Sequence, residues 1–188
     1  MVLSDDQRAL QETARRFSRE QLLPLYQKRE ESGVLDRELL LEMGRLGLMG
    51  VELPERVGGL GLDAATAGLI AEEVAYGDFN VSLVPVGTSL NAAILMRNAQ
   101  PELVDEWVPR MVRGEALVAI CLTEPRGGSD AANLQLRARR DGGHYVINGE
   151  KTSITLHAVS VVPPCVTPPG ISATMPGSRT VVSSPTVN

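Results

Sequence analysis

The sequence predicts an α+β chain: an all-α N-terminal helical bundle, then an antiparallel β-domain, then a disordered tail. Three observations carry that reading. Apolar residues recur at helical spacing, with caps, from about residue 4 to residue 114. The period then shortens to 2 between residues 116 and 147, with Gly and Asp at the break. From residue 156 onward six of the twelve prolines fall together, Arg179 is the only clear charge, and no period survives.

The first helix opens at Ser4, whose hydroxyl forms a capping box with Gln7 three residues on. Leu10, Ala14 and Phe17 supply its apolar face before Leu22, Leu23 and Pro24. A second helix starts at Asp36, buries Leu39, Leu40, Met43 and Leu46, and ends at Gly47. Residues 51–63 read as a loop in which Gly58, Gly59 and Gly61 relax the backbone. A helix rich in small residues follows over 64–76, and another apolar one near 89–96. The last helix has Pro101 in its first turn, buries Leu103, Trp107 and Met111, and stops at Gly114.

Residues 116–122 are a short Val- and Ile-containing run, predicted as a buried strand. Leu134, Leu136 and Ala138 alternate with polar residues, Asp141-Gly142-Gly143 turns the chain, and Tyr145-Val146-Ile147 leads back. Asn148-Gly149 is a hairpin signal, since both residues accept a positive φ.

Composition narrows the function. A net charge of −5 argues against a nucleic-acid or anionic-membrane surface, and Arg137, Arg139 and Arg140 read as a solvated strand face. With aromatics at 3%, the core must be aliphatic. Cys121 and Cys165 show neither a Cys-x-x-Cys spacing nor metal-ligand neighbours, so a reducing compartment is expected. No apolar run reaches the roughly 18 residues of a bilayer span, and Ser4-Asp5-Asp6-Gln7 is no targeting peptide. The chain is expected to be cytoplasmic.

Chemistry concentrates in Thr123-Glu124-Pro125-Arg126-Gly127-Gly128-Ser129-Asp130 and in Gly149-Glu150-Lys151-Thr152-Ser153-Ile154-Thr155. A strand, a Gly-rich turn and a second strand ending in a buried Thr make a backbone-rich cradle for a flat, anionic cofactor. Together these motifs resemble the T-E-P-x-x-G-S-D and G-x-K-x-W-I-T elements of the acyl-CoA dehydrogenase family. The Val57-Gly58-Gly59-Leu60-Gly61-Leu62 loop and the helix after it resemble that family's N-terminal domain. The resemblance covers roughly residues 1–155, divided at about 115 into a helical domain and the first part of a middle β-domain, which is therefore incomplete.

The resemblance implies FAD as cofactor, an acyl-CoA thioester as substrate, and oxidation at Cα–Cβ. It also implies electron-transfer flavoprotein as electron acceptor and a homo-oligomer for the intact family member. It places Ile120, Cys121, Leu122 and Thr123 along the isoalloxazine, with Thr123 at its pyrimidine edge. Ser129 falls where the family contacts the FAD pyrophosphate and the thioester arm. Thr155 faces flavin N5, with Ile154 beside it, and Ser153 replaces the Trp that packs on the flavin. Gly127 and Gly128 would admit close backbone approach. The plainer alternatives are strand threonines at Thr123 and Thr155, and a turn cap at Ser129-Asp130. Cys121 reads as a buried small residue with no partner for nucleophilic work, and Glu124 as structural, because Pro125 fixes a turn.

The family's catalytic carboxylate comes from a C-terminal helical domain, and residues 156–188 contain no Asp or Glu. No catalytic residue is therefore assigned, and the chain is expected to lack turnover alone. Residues 156–188 read either as a disordered tail or as the product of a frame shifted near Thr155. Two further functions stay open: a non-catalytic helical module docking on a separate C-terminal half, and an acyl-CoA oxidase relative.

Overall fold

The computed structural model describes residues 3–141, 144–155 and 180–183. Helix α1 (Asp5–Phe17) begins with the expected box: Ser4 Oγ accepts from the Gln7 amide at 3.2 Å, and Gln7 Oε1 accepts from the Ser4 amide at 2.9 Å. Asp5 and Asp6 in its first turn and Arg15 and Arg16 in its last complement the helix dipole. The helix widens into a π turn, Ser18–Leu22, and a 3-10 turn, Leu23–Leu25, where Pro24 interrupts the ladder, before α2 (Tyr26–Ser32). Helix α3 (Arg37–Arg45) is capped by Asp36 and terminated before Gly47, as predicted.

Helix α4 (Ala64–Gly77) lies along α1, tied to it by Arg15, which reaches Glu73 at 2.7 and 3.2 Å, and by Gln7, which donates to Thr66 at 2.7 Å. Gly77 allows this approach: a Cβ there would lie 2.7 Å from the Ser18 carbonyl oxygen and 2.9 Å from Leu22 Cβ. Helix α5 (Phe79–Asn98) is twenty residues long, starting ten residues earlier than predicted. Asp78 caps it, accepting from the Asn80 and Val81 amides at 3.0 and 3.3 Å. The other Asp78 oxygen accepts from Arg29 at 2.7 Å, inside the protein. Helix α6 (Pro101–Val112) completes the bundle.

By length and composition α5 is apolar enough to cross a membrane, which corrects the expectation that no such run exists. Its place is that of a core helix. It packs between α4 and α6 and buries Ser82, Thr88 and Asn91 together with Val81, Val84, Ala92 and Leu95.

Two apolar cores meet along α5. One gathers Ala14, Phe17, Leu22, Leu40, Met43, Ile70, Val74, Val81 and Val84; the other gathers Leu53, Val57, Ala92, Leu95, Trp107, Val108 and Met111. The chain after α6 is stitched between them. Gly114 has a φ of 72° and lies against the Leu40 carbonyl, where any Cβ would collide. Leu117 then enters the first core, while Ala116 and Val118 enter the second.

The predicted strand over 116–122 is corrected here. The segment sends successive side chains into alternate cores, as a strand sends them to alternate faces, but among the described residues none runs beside it to form a ladder. Two of its carbonyls are met instead by side chains: Asn91 Nδ2 donates to Val118 O, and Lys151 Nζ to Leu122 O at 2.9 Å.

The sheet has the order β1-β2-β3. Strands β1 (Arg137–Asp141) and β2 (His144–Asn148) pair antiparallel, with Asp141 opposite His144; the two glycines of the predicted turn lie outside the described residues. Thr180–Ser183, within the segment expected to be structureless, forms β3 against β2, Ile147 facing Thr180. This Thr-Val-Val-Ser run has three β-branched residues and no proline, which suits a strand. The remainder of the predicted tail lies outside the described residues. Asn148-Gly149 does not form the predicted hairpin. β2 ends at Asn148, and the chain crosses back toward residue 123.

Candidate functional site

The stitched segment surfaces at the first motif. Val118 is 8% exposed and Leu122 is 50% exposed, so an apolar run leaves the double core and ends as a ledge. Ile120 and Thr123 are half-buried, and Cys121 is exposed. The expectation of a buried Cys121 is corrected: its stretch of chain lies at the rim, with no strand covering it among the described residues. Partial desolvation lifts the Cys121 thiol above its ordinary range, and the Lys151 ammonium pulls the other way. The net shift favours the thiol over the thiolate.

Pro125 and Arg126 form a two-residue turn, closed by Glu124 N donating to Gly127 O at 2.9 Å and by the return bond at 3.1 Å. Gly127 and Gly128 have no positive φ, and a Cβ at each would find only Asp130 O at 3.5 Å and Thr123 Cγ2 at 3.6 Å. Their own fold does not demand glycine, and the space beside them is open. Ser129 and Asp130 are exposed. Asp130 stands before a 3-10 turn, Ala131–Asn133, which its side chain does not cap; its carbonyl accepts from the Asn133 amide at 3.1 Å.

Glu124 is the hub of the motif. It is 7% exposed and accepts from the Gln135 amide at 2.6 Å, the Leu136 amide at 2.9 Å and Lys151 Nζ at 2.9 Å. The Gln135 amide, then Lys151 and the Leu136 amide, hold its carboxyl at about 2, well below the usual range. Lys151 also donates to the Leu122 carbonyl at 2.9 Å. The structural reading of Glu124 holds, for a larger reason than a proline turn. Lys151 was missed as a site residue. Its fixed place in the G-x-K element was the available signal, and a buried ammonium needs a carboxylate partner.

Besides the Lys151–Glu124 contact, a backbone bond joins the second motif to the first, Thr152 N to Thr123 O at 2.9 Å. Gly149, with a φ of 155°, passes Leu136 so closely that a Cβ would lie 2.9 Å from its Cα. Ser153 has a left-handed φ of 53°, is exposed and projects no ring. Ile154 is half-buried. Thr155 is exposed, which corrects the expectation of a buried residue closing a hairpin; without the hairpin it stands at the end of a crossing strap. Thus Ile120, Cys121, Leu122 and Thr123 share one extended segment, tied through Thr152 to the strap carrying Ser153, Ile154 and Thr155.

A second exposed surface lies on the bundle. Val86, Leu90 and Ile94, spaced four apart on α5, are 50%, 56% and 37% exposed. Beside them a groove of about 380 Å³ runs between α5 and the small residues Ala64, Ala67, Gly68 and Ala71 of α4. The sequence reading missed this face, because Pro85 and Gly87 hid the helix that carries it. Among the described residues no three His, Cys, Asp or Glu side chains gather to hold a metal.

The family model described as the acyl-CoA dehydrogenase N-terminal domain matches residues 4–115, and that of the middle domain matches residues 119–174. The chain belongs to the acyl-CoA dehydrogenase family. The middle-domain match runs on past Thr155, where the motifs place the end of the resemblance. Benzylmalonyl-CoA dehydrogenase of Aromatoleum aromaticum is 37% identical over 154 residues, covering 81% of this chain and 41% of that one. Among solved structures, a glutaryl-CoA dehydrogenase from Mycobacterium smegmatis in complex with FADH2 superposes with a TM-score of 0.79. It is 33% identical over 84% of this chain and 41% of that one. A structure described as the electron transferring flavoprotein of Acidaminococcus fermentans gives a TM-score of 0.79 at 28% identity, over 85% of this chain and 42% of that one. The chain thus spans about two-fifths of the length of these acyl-CoA dehydrogenase relatives.

Proposed function

We propose that this chain is the flavin-contacting part of an FAD-dependent dehydrogenase that oxidises an acyl-CoA thioester at Cα–Cβ and hands its electrons to an electron-transfer flavoprotein. The observation that supports this most is the ledge. An apolar segment, 119–123, emerges from the core and is tied by one backbone bond to the strap bearing Thr155, beside a Gly-rich turn with open space. That arrangement fits a flat ring lying on Ile120 and Leu122, with polar edges toward Thr123 and Thr155. When bound, the flavin supplies the acceptor for the hydride leaving the acyl Cβ. The chain's own part is to bind and orient. Leu122 offers apolar surface, Thr123 and Thr155 offer hydroxyls and amides, Ser129 stands exposed for an anionic arm, and the glycines leave room for backbone contact.

No carboxylate of this chain is assigned to the α-proton, so the 188 residues by themselves are proposed to bind without turning over. FAD titration of the purified chain, followed by flavin fluorescence, and an assay for enoyl-CoA formation test both halves. Saturable FAD binding without enoyl-CoA is expected. Absence of binding would sink the cofactor reading, and enoyl-CoA formation would sink the inactivity.

A second reading, a non-catalytic helical module that docks on a separately encoded partner, draws on the exposed Val86-Leu90-Ile94 stripe. Recovery of a stoichiometric partner with no flavin in the complex would favour it.

A further inference from the structure

We infer that Glu124 and Lys151 form a positioning pair for the flavin cradle, and that Lys151 is committed to the protein rather than to a phosphate of the cofactor. The inference rests on the flavin reading above and concerns two residues that touch no reacting atom. Three chain segments surround the cradle: 120–124, 134–136 and 151–155. Glu124 belongs to the first, receives both amides at the head of β1 from the second, and receives the Lys151 ammonium from the third. Lys151 returns to the first segment through the Leu122 carbonyl, one residue before Thr123. The Thr152–Thr123 bond follows immediately.

Both side chains are nine-tenths buried, at 10% and 6% exposure, so the pair is shielded from screening by water. Two of the three Lys151 donors are spent within the protein, at 2.9 Å each. A lysine so engaged is poorly placed to reach an anionic ligand. It is well placed to set the register between Thr123 and Thr155, the two residues at opposite edges of the proposed ring site.

The test compares the parent chain with E124Q, K151M and the double variant, by amide hydrogen exchange and by FAD titration. E124Q should speed exchange at Gln135, Leu136 and Thr152, and K151M at Thr152, with the amides of α4 unchanged as proof of an intact bundle. Each single variant should weaken FAD binding about tenfold, and the double no further, because both remove one linkage. Lys151→Arg should recover part of the loss. Unchanged exchange at these three amides overturns the pair, and so do additive losses of FAD affinity. Loss of affinity and of salt dependence in K151M alone, with E124Q silent, assigns Lys151 to a phosphate and overturns the inference equally. A parent chain that binds no FAD yet shows the exchange pattern sinks the cofactor reading and leaves the pair standing.

Discussion

Asp78 joins three parts of the fold. One oxygen caps α5, the other pairs with Arg29, and Arg29 also meets the Leu22 carbonyl at the end of the π turn. Asp78→Ala leaves the largely buried Arg29 guanidinium with only the Leu22 carbonyl and uncaps a helix, so urea unfolding should show a loss of about 3–5 kcal/mol. Glu124 makes a pH-dependent prediction. Its folded value near 2 lies below the ordinary 4.5, so its contribution is complete above about 4.5 and is lost as pH falls toward 2. Amide NMR should show Gln135 and Leu136 titrating together in that window, and E124Q should abolish the titration. Ser153 holds a left-handed φ without being glycine. Ser153→Gly should therefore stabilise the strap by about 1 kcal/mol, visible as slower exchange at Thr152. The same strain limits what a Trp would gain there from stacking. The family was legible in the motif residues, because residue types at fixed spacing mark it. Their exposure was not: whether Cys121 or Thr155 is covered depends on which strands lie beside them, and spacing carries no such information.

At the scale of elements, helices with a clear start signal were read to within a residue or two, as at the caps Ser4 and Asp36 and at the first-turn Pro101. Helix α5 was half missed, since Pro85, Gly87, Ser82 and Thr88 are poor helix formers and only packing between two cores overrules them. The segment 116–118 was misread for the opposite reason. Its alternation is real, but it serves two cores rather than two faces of a sheet. Two glycines of α4 separate conformational freedom from close approach. A Cβ at Gly68 meets nothing within 4 Å, whereas at Gly77 it meets the π turn. Gly68→Ala should raise stability by about 0.5–1 kcal/mol, and Gly77→Ala should lower it by about 1–3 kcal/mol, both read from thermal unfolding.

For the molecule as a whole, the helical bundle and the β-segment are not separable at the last helix. Ala116, Leu117 and Val118 belong to the bundle's cores although they follow α6. A chain ended after residue 118 should keep the unfolding midpoint of the bundle. One ended after residue 115 should lose about 3–5 kcal/mol, since it leaves three buried apolar sites empty. This seam has a consequence for synthesis. Helices α1 to α6 leave the ribosome before the residues that close the gap between their two cores, so the nascent bundle passes through a stage with apolar walls facing water. Closure of the seam by 116–118 completes the bundle, and the same motion delivers 119–123 to the surface before the residues of β1 and β2 have been made.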